Sequence, residues 1–146
     1  MTPATTLNSC LQVVPRSNRL GLLNHCPTGF DVGIPVNMVP VQEAVTLEMR
    51  PGSVLLMTQQ TIHTALDNVT EDDVRISMDL RYQPIGQPTG RPAFASAGFN
   101  ARSAVRPDTV LRDPAVWAAR WLEAREWLAD KTPIFNRWHA DAPHCA

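Results

Sequence analysis

Thirteen prolines in 146 residues constrain the fold of this chain more than any other feature of its sequence. Proline lacks a backbone N–H and has a fixed φ, so it interrupts helices and the interior of sheets. The prolines are spread from Pro3 to Pro143, which leaves little room for long helices. The sequence therefore predicts a loop-rich, mainly β chain rather than a bundle of helices.

The composition sets the broad class of protein. A chain that is 44% hydrophobic and 18% charged is typical of one soluble globular domain, here residues 1–146. A formal net charge of −1 provides no basic surface for nucleic acid, and no apolar run approaches the roughly 20 residues of a membrane span. The first residues show no basic region followed by an apolar stretch, so we expect no secretory signal, and three cysteines without CxxC spacing favour reduced thiols. We expect a cytoplasmic protein that binds neither nucleic acid nor membrane.

One C-terminal helix is predicted at about residues 114–129. Asp113 is a good N-cap and Pro114 suits the first helical position. An apolar stripe at helical spacing indicates a face packed on the core; it consists of Trp117, Trp121, Ala124 and Leu128.

Four stretches are typical of strands. Residues 11–14 are apolar and end at a proline, and residues 44–49 and 53–57 flank Pro51-Gly52 like a hairpin. The second hairpin strand becomes polar as it reaches His63. Residues 74–82 alternate most clearly, with Val74, Ile76, Met78 and Leu80 on one face and Arg75, Ser77, Asp79 and Arg81 on the other.

The polar face of residues 74–82 has two interpretations. It is either a solvated outer face, as is usual for an antiparallel sheet, or the lining of a barrel. In the second case the tryptophan helix covers the apolar face. The alternation alone leaves both open.

Several of these stretches resemble the phytanoyl-CoA dioxygenase family, and together they correspond to its C-terminal half. They are NSCLQVVPRSN from Asn8, PGSVLL from Pro51, His63, Asn68 and the most specific stretch, residues 75–92. The resemblance implies a double-stranded β-helix, a cupin-like jelly roll of two facing sheets, of which this chain holds a part.

The resemblance also implies a site and its cofactors. Family members bind Fe(II) through two histidines and a carboxylate, use 2-oxoglutarate as co-substrate and hydroxylate small organic molecules. His63 resembles the second iron histidine, and Arg75 resembles the arginine that clamps the 2-oxoglutarate carboxylate. Ser77 shares the strand face of Arg75 and adds a hydroxyl donor. No catalytic residue is implied beyond this metal and co-substrate site.

The chain departs from the family pattern at two points. The family places its first iron histidine and its carboxylate in an H-x-D or H-x-E motif upstream of the segment that resembles Asn8 to Asn18, where this chain has none. The family's P-G-S-H turn is Pro15-Arg16-Ser17-Asn18 here. We expect a chain that lacks the N-terminal half, is inactive alone, and self-associates through unpaired strand edges.

Other motifs carry less weight. His139-Ala140-Asp141 has chelating spacing but follows the last helix, so we interpret it as coincidence. The His25-Cys26 and His144-Cys145 pairs match no familiar zinc spacing, and we expect packed or solvated residues there. Asn68-Val69-Thr70 reads as a turn.

Three hypotheses remain open. The first is that the chain is part of an Fe(II)/2-oxoglutarate oxygenase. The second is that it is a non-catalytic barrel remnant, which binds a small carboxylate through Arg75 or serves as an interaction module. The third is that it is a structural domain held by metal on the two His-Cys pairs. Zinc content separates the third from the others.

Overall fold

The computed structural model of the chain describes residues 1–28, 32–87, 98–131 and 141–145. These fall into two compact units, one drawn from Met1–Asp79 with residues 141–145 and one drawn from Leu80–Asn136. All the strands belong to the first unit and the α-helix to the second. Short antiparallel strands with a C-terminal helix confirm the mainly β class that the prolines predict.

The first unit contains two small sheets. Strands β1 (Leu11–Val13), β4 (Val45–Leu47) and β5 (His63–Ala65) form a three-stranded antiparallel sheet in the order β4-β1-β5. Strands β2 (Cys26–Pro27) and β3 (Val32–Gly33) form a second, two-stranded sheet. Short 3-10 helices connect the strands, at Ser17–Leu20, Val36–Met38 and Val41–Glu43.

The larger sheet has one apolar and one polar face. Val13 pairs with His63 on one side and with Val45 on the other. Because alternate residues share a face, His63 lies among apolar side chains of β1 and β4. On the opposite face the Gln12 side-chain amide donates to the Thr46 hydroxyl at 2.9 Å.

The predicted hairpin forms its turn but not its second strand. Ser53 N–H donates to the Arg50 carbonyl at 3.0 Å, and Gly52 has the positive φ of 84° that this turn requires. Residues 53–57 form no strand, and the Val54 side chain is 80% exposed. The hairpin prediction is wrong because β4 pairs with β1, a strand more than thirty residues earlier in the chain. His63 accordingly begins a strand, β5, instead of ending one.

Residues 74–82 are not a strand, which corrects the clearest of the strand predictions. Ile76 N–H donates to the Thr2 hydroxyl at 2.9 Å, and that hydroxyl donates to the Val74 carbonyl at 3.2 Å. A side chain thus takes the place of a neighbouring strand. The apolar face remains 58–69% exposed; its members are Val74, Ile76, Met78 and Leu80. Alternation specifies which side chains share a face, but it does not supply a backbone partner.

Long-range polar bonds hold the N-terminal segment of the first unit. Asn8 is buried, its side-chain carbonyl accepts from Thr5 N–H at 2.7 Å, and its amide donates to Asp73 at 2.9 Å. The buried Ser17 hydroxyl accepts from Ile62 N–H at 2.8 Å, which fixes the approach to β5. These bonds join residues 45 and 65 positions apart.

In the second unit, helix α1 spans Pro114–Lys131, two residues beyond its predicted end. The Asp113 carboxylate accepts from Ala115 N–H at 2.9 Å, so the predicted cap is confirmed. Trp117 makes edge-on contacts with Phe99 and Trp121, with ring centres 6.1 and 6.2 Å apart. Ala124 is buried, whereas Trp117 and Trp121 are about two-fifths exposed, so the stripe packs only in part. No helix in the described ranges has the length and apolarity of a membrane span.

A disulfide joins Cys26 to Cys145, 119 positions apart in sequence, and this corrects the prediction of reduced thiols. Cys10 alone of the three cysteines is a free thiol, and it is buried. Cysteine spacing reveals pairs that are close in sequence, and this pair comes from distant segments.

Candidate functional site

His63 presents one ring nitrogen that is suited to a metal. Its Nδ1 lies 2.8 Å from the Thr61 carbonyl oxygen, and a carbonyl can only accept. In the neutral ring Nδ1 therefore carries the proton, and Nε2 keeps its lone pair. The side chain is exposed. Metal-binding histidines are commonly oriented in this way, with the second nitrogen bonded to a backbone carbonyl.

Arg75 is half-buried and held by two hydrogen bonds. Its Nε donates to the Ser9 carbonyl at 2.6 Å, and its Nη1 donates to the Ser77 hydroxyl at 2.9 Å. The structure thus brings Arg75 and Ser77 together, although residues 74–82 form no strand. Nη2 has no hydrogen-bond partner among the described residues.

No carboxylate among the described residues forms an ion pair with Arg75. Within the part of the chain that is described, the one ion pair joins Arg106 to Asp108 at 2.9 Å. A fixed guanidinium without a carboxylate partner is suited to an anionic ligand, because its N–H groups donate to carboxylate oxygens.

Strand β1 positions both predicted groups. Ser9, whose carbonyl accepts from Arg75, lies two residues before β1, and His63 pairs with Val13 at the other end of the strand.

A complete iron site is not assembled by the described residues. No two further His, Cys, Asp or Glu side chains gather with His63 among them; the one such group of three lies elsewhere. In the His139-Ala140-Asp141 motif, the first two residues lie outside the described ranges and Asp141 is exposed. The residues present therefore fit the clamp and one metal ligand, but not the full set of three.

The neighbouring thiol is no rival as a reactive group. Cys10 follows Ser9, is buried, and has no metal-binding neighbour among the described residues. Burial raises the pKa of the Cys10 thiol, and the Glu48 carboxylate raises it further. The thiol thus stays protonated near neutral pH, where only the thiolate is a good nucleophile.

Sequence reasoning missed the backbone groups that orient these side chains. The carbonyls of Ser9 and Thr61 fix Arg75 and His63. Every residue has a backbone carbonyl, so the sequence does not show which carbonyls orient a side chain, although Ser9 lies within the segment that resembles the family. Asn68 forms the turn that was predicted, since its side-chain carbonyl accepts from Thr70 N–H at 2.9 Å.

The described residues thus hold an exposed imidazole at His63 and, at Arg75, a guanidinium that pairs with no described carboxylate. The model of the family described as phytanoyl-CoA dioxygenase (PhyH) matches residues 1–77, more than half of the 146. The chain belongs to the phytanoyl-CoA dioxygenase family, a family of oxygenase-type enzymes. His63, Arg75 and Ser77 all lie inside the match. No curated protein matches the chain significantly, and no solved structure does either.

Proposed function

We propose that this chain contributes the co-substrate half of an Fe(II)/2-oxoglutarate-dependent dioxygenase site that hydroxylates a small organic molecule. Arg75 and Ser77 hold the far carboxylate of 2-oxoglutarate, and His63 provides one imidazole to iron. The sheet β4-β1-β5 belongs to one wall of a jelly roll. Iron and 2-oxoglutarate, when bound, supply the oxidation of a C–H bond.

The observation that supports this proposal is the state of Arg75. Two neutral oxygens hold its guanidinium, and no carboxylate within the described residues pairs with it. A half-buried cation kept in place without a counter-charge is a binding site for an anion. Family membership supports 2-oxoglutarate as that anion, since the family is generally 2-oxoglutarate-dependent.

Arg75→Gln tests the clamp, with 2-oxoglutarate binding measured by calorimetry. Loss of charge-assisted hydrogen bonds of about 1.5–3 kcal/mol weakens affinity by roughly tenfold to a hundredfold. Arg75→Lys keeps the charge but not the fork, so it restores affinity only in part. Arg81→Gln is the matched control, because Arg81 is exposed and belongs to the same alternating stretch. A larger loss in Arg81→Gln than in Arg75→Gln would assign the clamp to Arg81.

The incomplete set of iron ligands supports a second candidate, a carboxylate-binding module without turnover. Both candidates predict 2-oxoglutarate binding through Arg75, and they differ in chemistry. An assay of the purified chain with Fe(II), ascorbate and 2-oxoglutarate, following succinate, tests whether this chain turns over by itself. We expect no succinate, because a single imidazole binds Fe(II) weakly. Iron-dependent succinate that His63→Ala abolishes would establish turnover by this chain.

A further inference from the structure

The two His-Cys pairs meet, although they lie at opposite ends of the sequence. Cys26 is on β2, and Cys145 ends the 3-10 helix Pro143–Cys145. Besides the disulfide, the Cys26 sulfur lies 3.6 Å from the His144 carbonyl, and the Cys145 sulfur lies 3.7 Å from the His25 carbonyl. Each pair thus places its cysteine against the backbone of the other. This corrects the expectation that the pairs are unrelated packed or solvated residues.

His144 adds a third donor to this cluster. Its ring nitrogen lies within 4.8 Å of both sulfurs. Its Nε2 is buried and has no hydrogen-bond partner in the part of the chain that the structure describes. Leaving a buried polar nitrogen unpaired costs about 1–3 kcal/mol, so such an atom is normally satisfied by something. An imidazole that has one ring nitrogen within 4.8 Å of two sulfurs is suited to a metal ion.

The contacts also accommodate a reduced form. A disulfide sulfur carries no proton, so the two sulfur–carbonyl contacts are not hydrogen bonds in the oxidised state. After reduction each thiol has a carbonyl acceptor already within reach, at 3.6 and 3.7 Å. Reduction therefore requires side-chain rotation rather than a new backbone arrangement.

We propose that Cys26, His144 and Cys145 form a redox-gated zinc site. In the oxidised state the two sulfurs are bonded to each other and the site is closed to metal. In the reduced state two thiolates and the His144 imidazole bind one Zn²⁺. Two sulfurs and one nitrogen are ligands that zinc prefers, at about 2.3 Å for sulfur and 2.0–2.1 Å for nitrogen.

The reaction balances with a thiol or phosphine reductant. A dithiol gives two electrons and two protons to the disulfide and is itself oxidised to a cyclic disulfide. The protein then holds two thiols, and Zn²⁺ displaces their two protons as it binds. An oxidant that accepts the two electrons, such as another disulfide, reverses the cycle and releases the metal.

A groove beside the cluster gives a further small ligand access to it. An open cavity of about 410 Å³ borders the cluster, and its lining includes Thr28, Gly33 and Asn37 besides the three ligands. Sites with three protein ligands leave one position for water or another small ligand. The geometry thus assigns to this cluster an accessible zinc, not one enclosed by four protein ligands.

Zinc titration of the full chain in its two redox states tests the proposal. The chain is reduced with a phosphine, which takes up an oxygen from water as the disulfide becomes two thiols, and the reductant is removed without air. We expect one zinc per chain in the reduced form and none in the oxidised form, measured by competition with a chromophoric chelator. Cobalt(II) in place of zinc gives thiolate-to-metal charge-transfer absorption that Cys26→Ser loses.

His144→Ala is the decisive variant because it keeps both cysteines. Its fold is checked by circular dichroism in the disulfide form, before reduction. After reduction we expect its zinc affinity to fall at least about tenfold. Cys10→Ala and His63→Ala are the controls, one removing the third thiol and the other removing the predicted iron ligand; both retain one zinc.

Three results overturn the proposal. The reduced wild-type chain binds no zinc, the oxidised chain binds as much as the reduced one, or the zinc disappears in His63→Ala. The proposed dioxygenase function is tested separately, because its clamp is measured as 2-oxoglutarate binding that depends on Arg75.

Discussion

The two units of the molecule are stabilised by different kinds of contact. In the first unit the buried residues are bonded to partners far away in sequence, as Asn8 is to Asp73 and Ser17 is to Ile62. In the second unit, Ala124 is the one buried residue among those described. That unit is stabilised by helix α1, whose hydrogen bonds and cap join residues within a few positions of one another in sequence.

The difference has a consequence for function. The family match covers most of the first unit's continuous segment, and the candidate site lies there. Arg75 is fixed by a carbonyl 66 positions earlier, so the site exists only when distant segments have come together. A helix that is stabilised locally does not have this dependence. We therefore expect perturbations of the first unit to affect stability and the site together.

Removing the Cys26–Cys145 disulfide, the crosslink with the longest sequence separation in the first unit, should give the largest loss of stability. The Cys26–Cys145 disulfide closes a loop with a sequence separation of 119, and removing such a crosslink costs about 3–5 kcal/mol through the unfolded state. Urea unfolding of the oxidised and the reduced chain, both with a chelator present to exclude metal, measures this loss. An unchanged unfolding midpoint would mean that the first unit does not depend on its long-range links.

Removing the buried amide of Asn8 should lower the free energy of unfolding by a smaller amount, about 2–3 kcal/mol. Asn8→Ala deprives Thr5 N–H, the Pro3 carbonyl and Asp73 of their partner in a site that is partly closed to water. Asn100→Ala is the matched control in the second unit, where the amide makes one exposed hydrogen bond to Thr109 at 3.1 Å. We expect a loss below about 1 kcal/mol there. Equal losses of unfolding free energy in the two variants, measured in urea, would contradict the difference between the units.

The same contrast explains what could be predicted from the sequence. Helix α1, its Asp113 cap and the Pro51-Gly52 turn were predicted correctly, since each signal lies within a few residues. The partner of β4 was not, because a local hairpin and a long-range pairing give the same alternation. For residues 74–82 the pattern gave the two faces, but not the Thr2 hydroxyl that meets their backbone.

Of the candidate site, only the residues that belong to the family's motifs could be predicted from the sequence. Resemblance to the family nominates His63, Arg75 and Ser77, and their roles stay predictions until binding is measured. Arg75 and Ser77 are in contact, although the strand from which their shared face was predicted does not form. The Cys26–Cys145 cluster was not predicted, because cysteine spacing contains no information on which distant segments fold together.

The smallest effect we predict concerns a residue whose conformation the first unit imposes against its preference. Arg16 stands where the resembling family segment has glycine, and its φ is 65°, in the left-handed region. That region costs a non-glycine residue about 1–2 kcal/mol, whereas glycine adopts it freely. The neighbouring Ser17 is held by Ile62, so Arg16 has to accept this conformation. Arg16→Gly should therefore stabilise the chain, by about 0.5 kcal/mol after the greater flexibility of glycine in the unfolded state is subtracted.

Arg19→Gly is the control, since Arg19 is equally exposed but lacks a positive φ, and it should destabilise by a similar amount. Thermal unfolding of both variants measures the difference, and a loss of stability in Arg16→Gly would show that the arginine side chain, not the backbone, decides at this position.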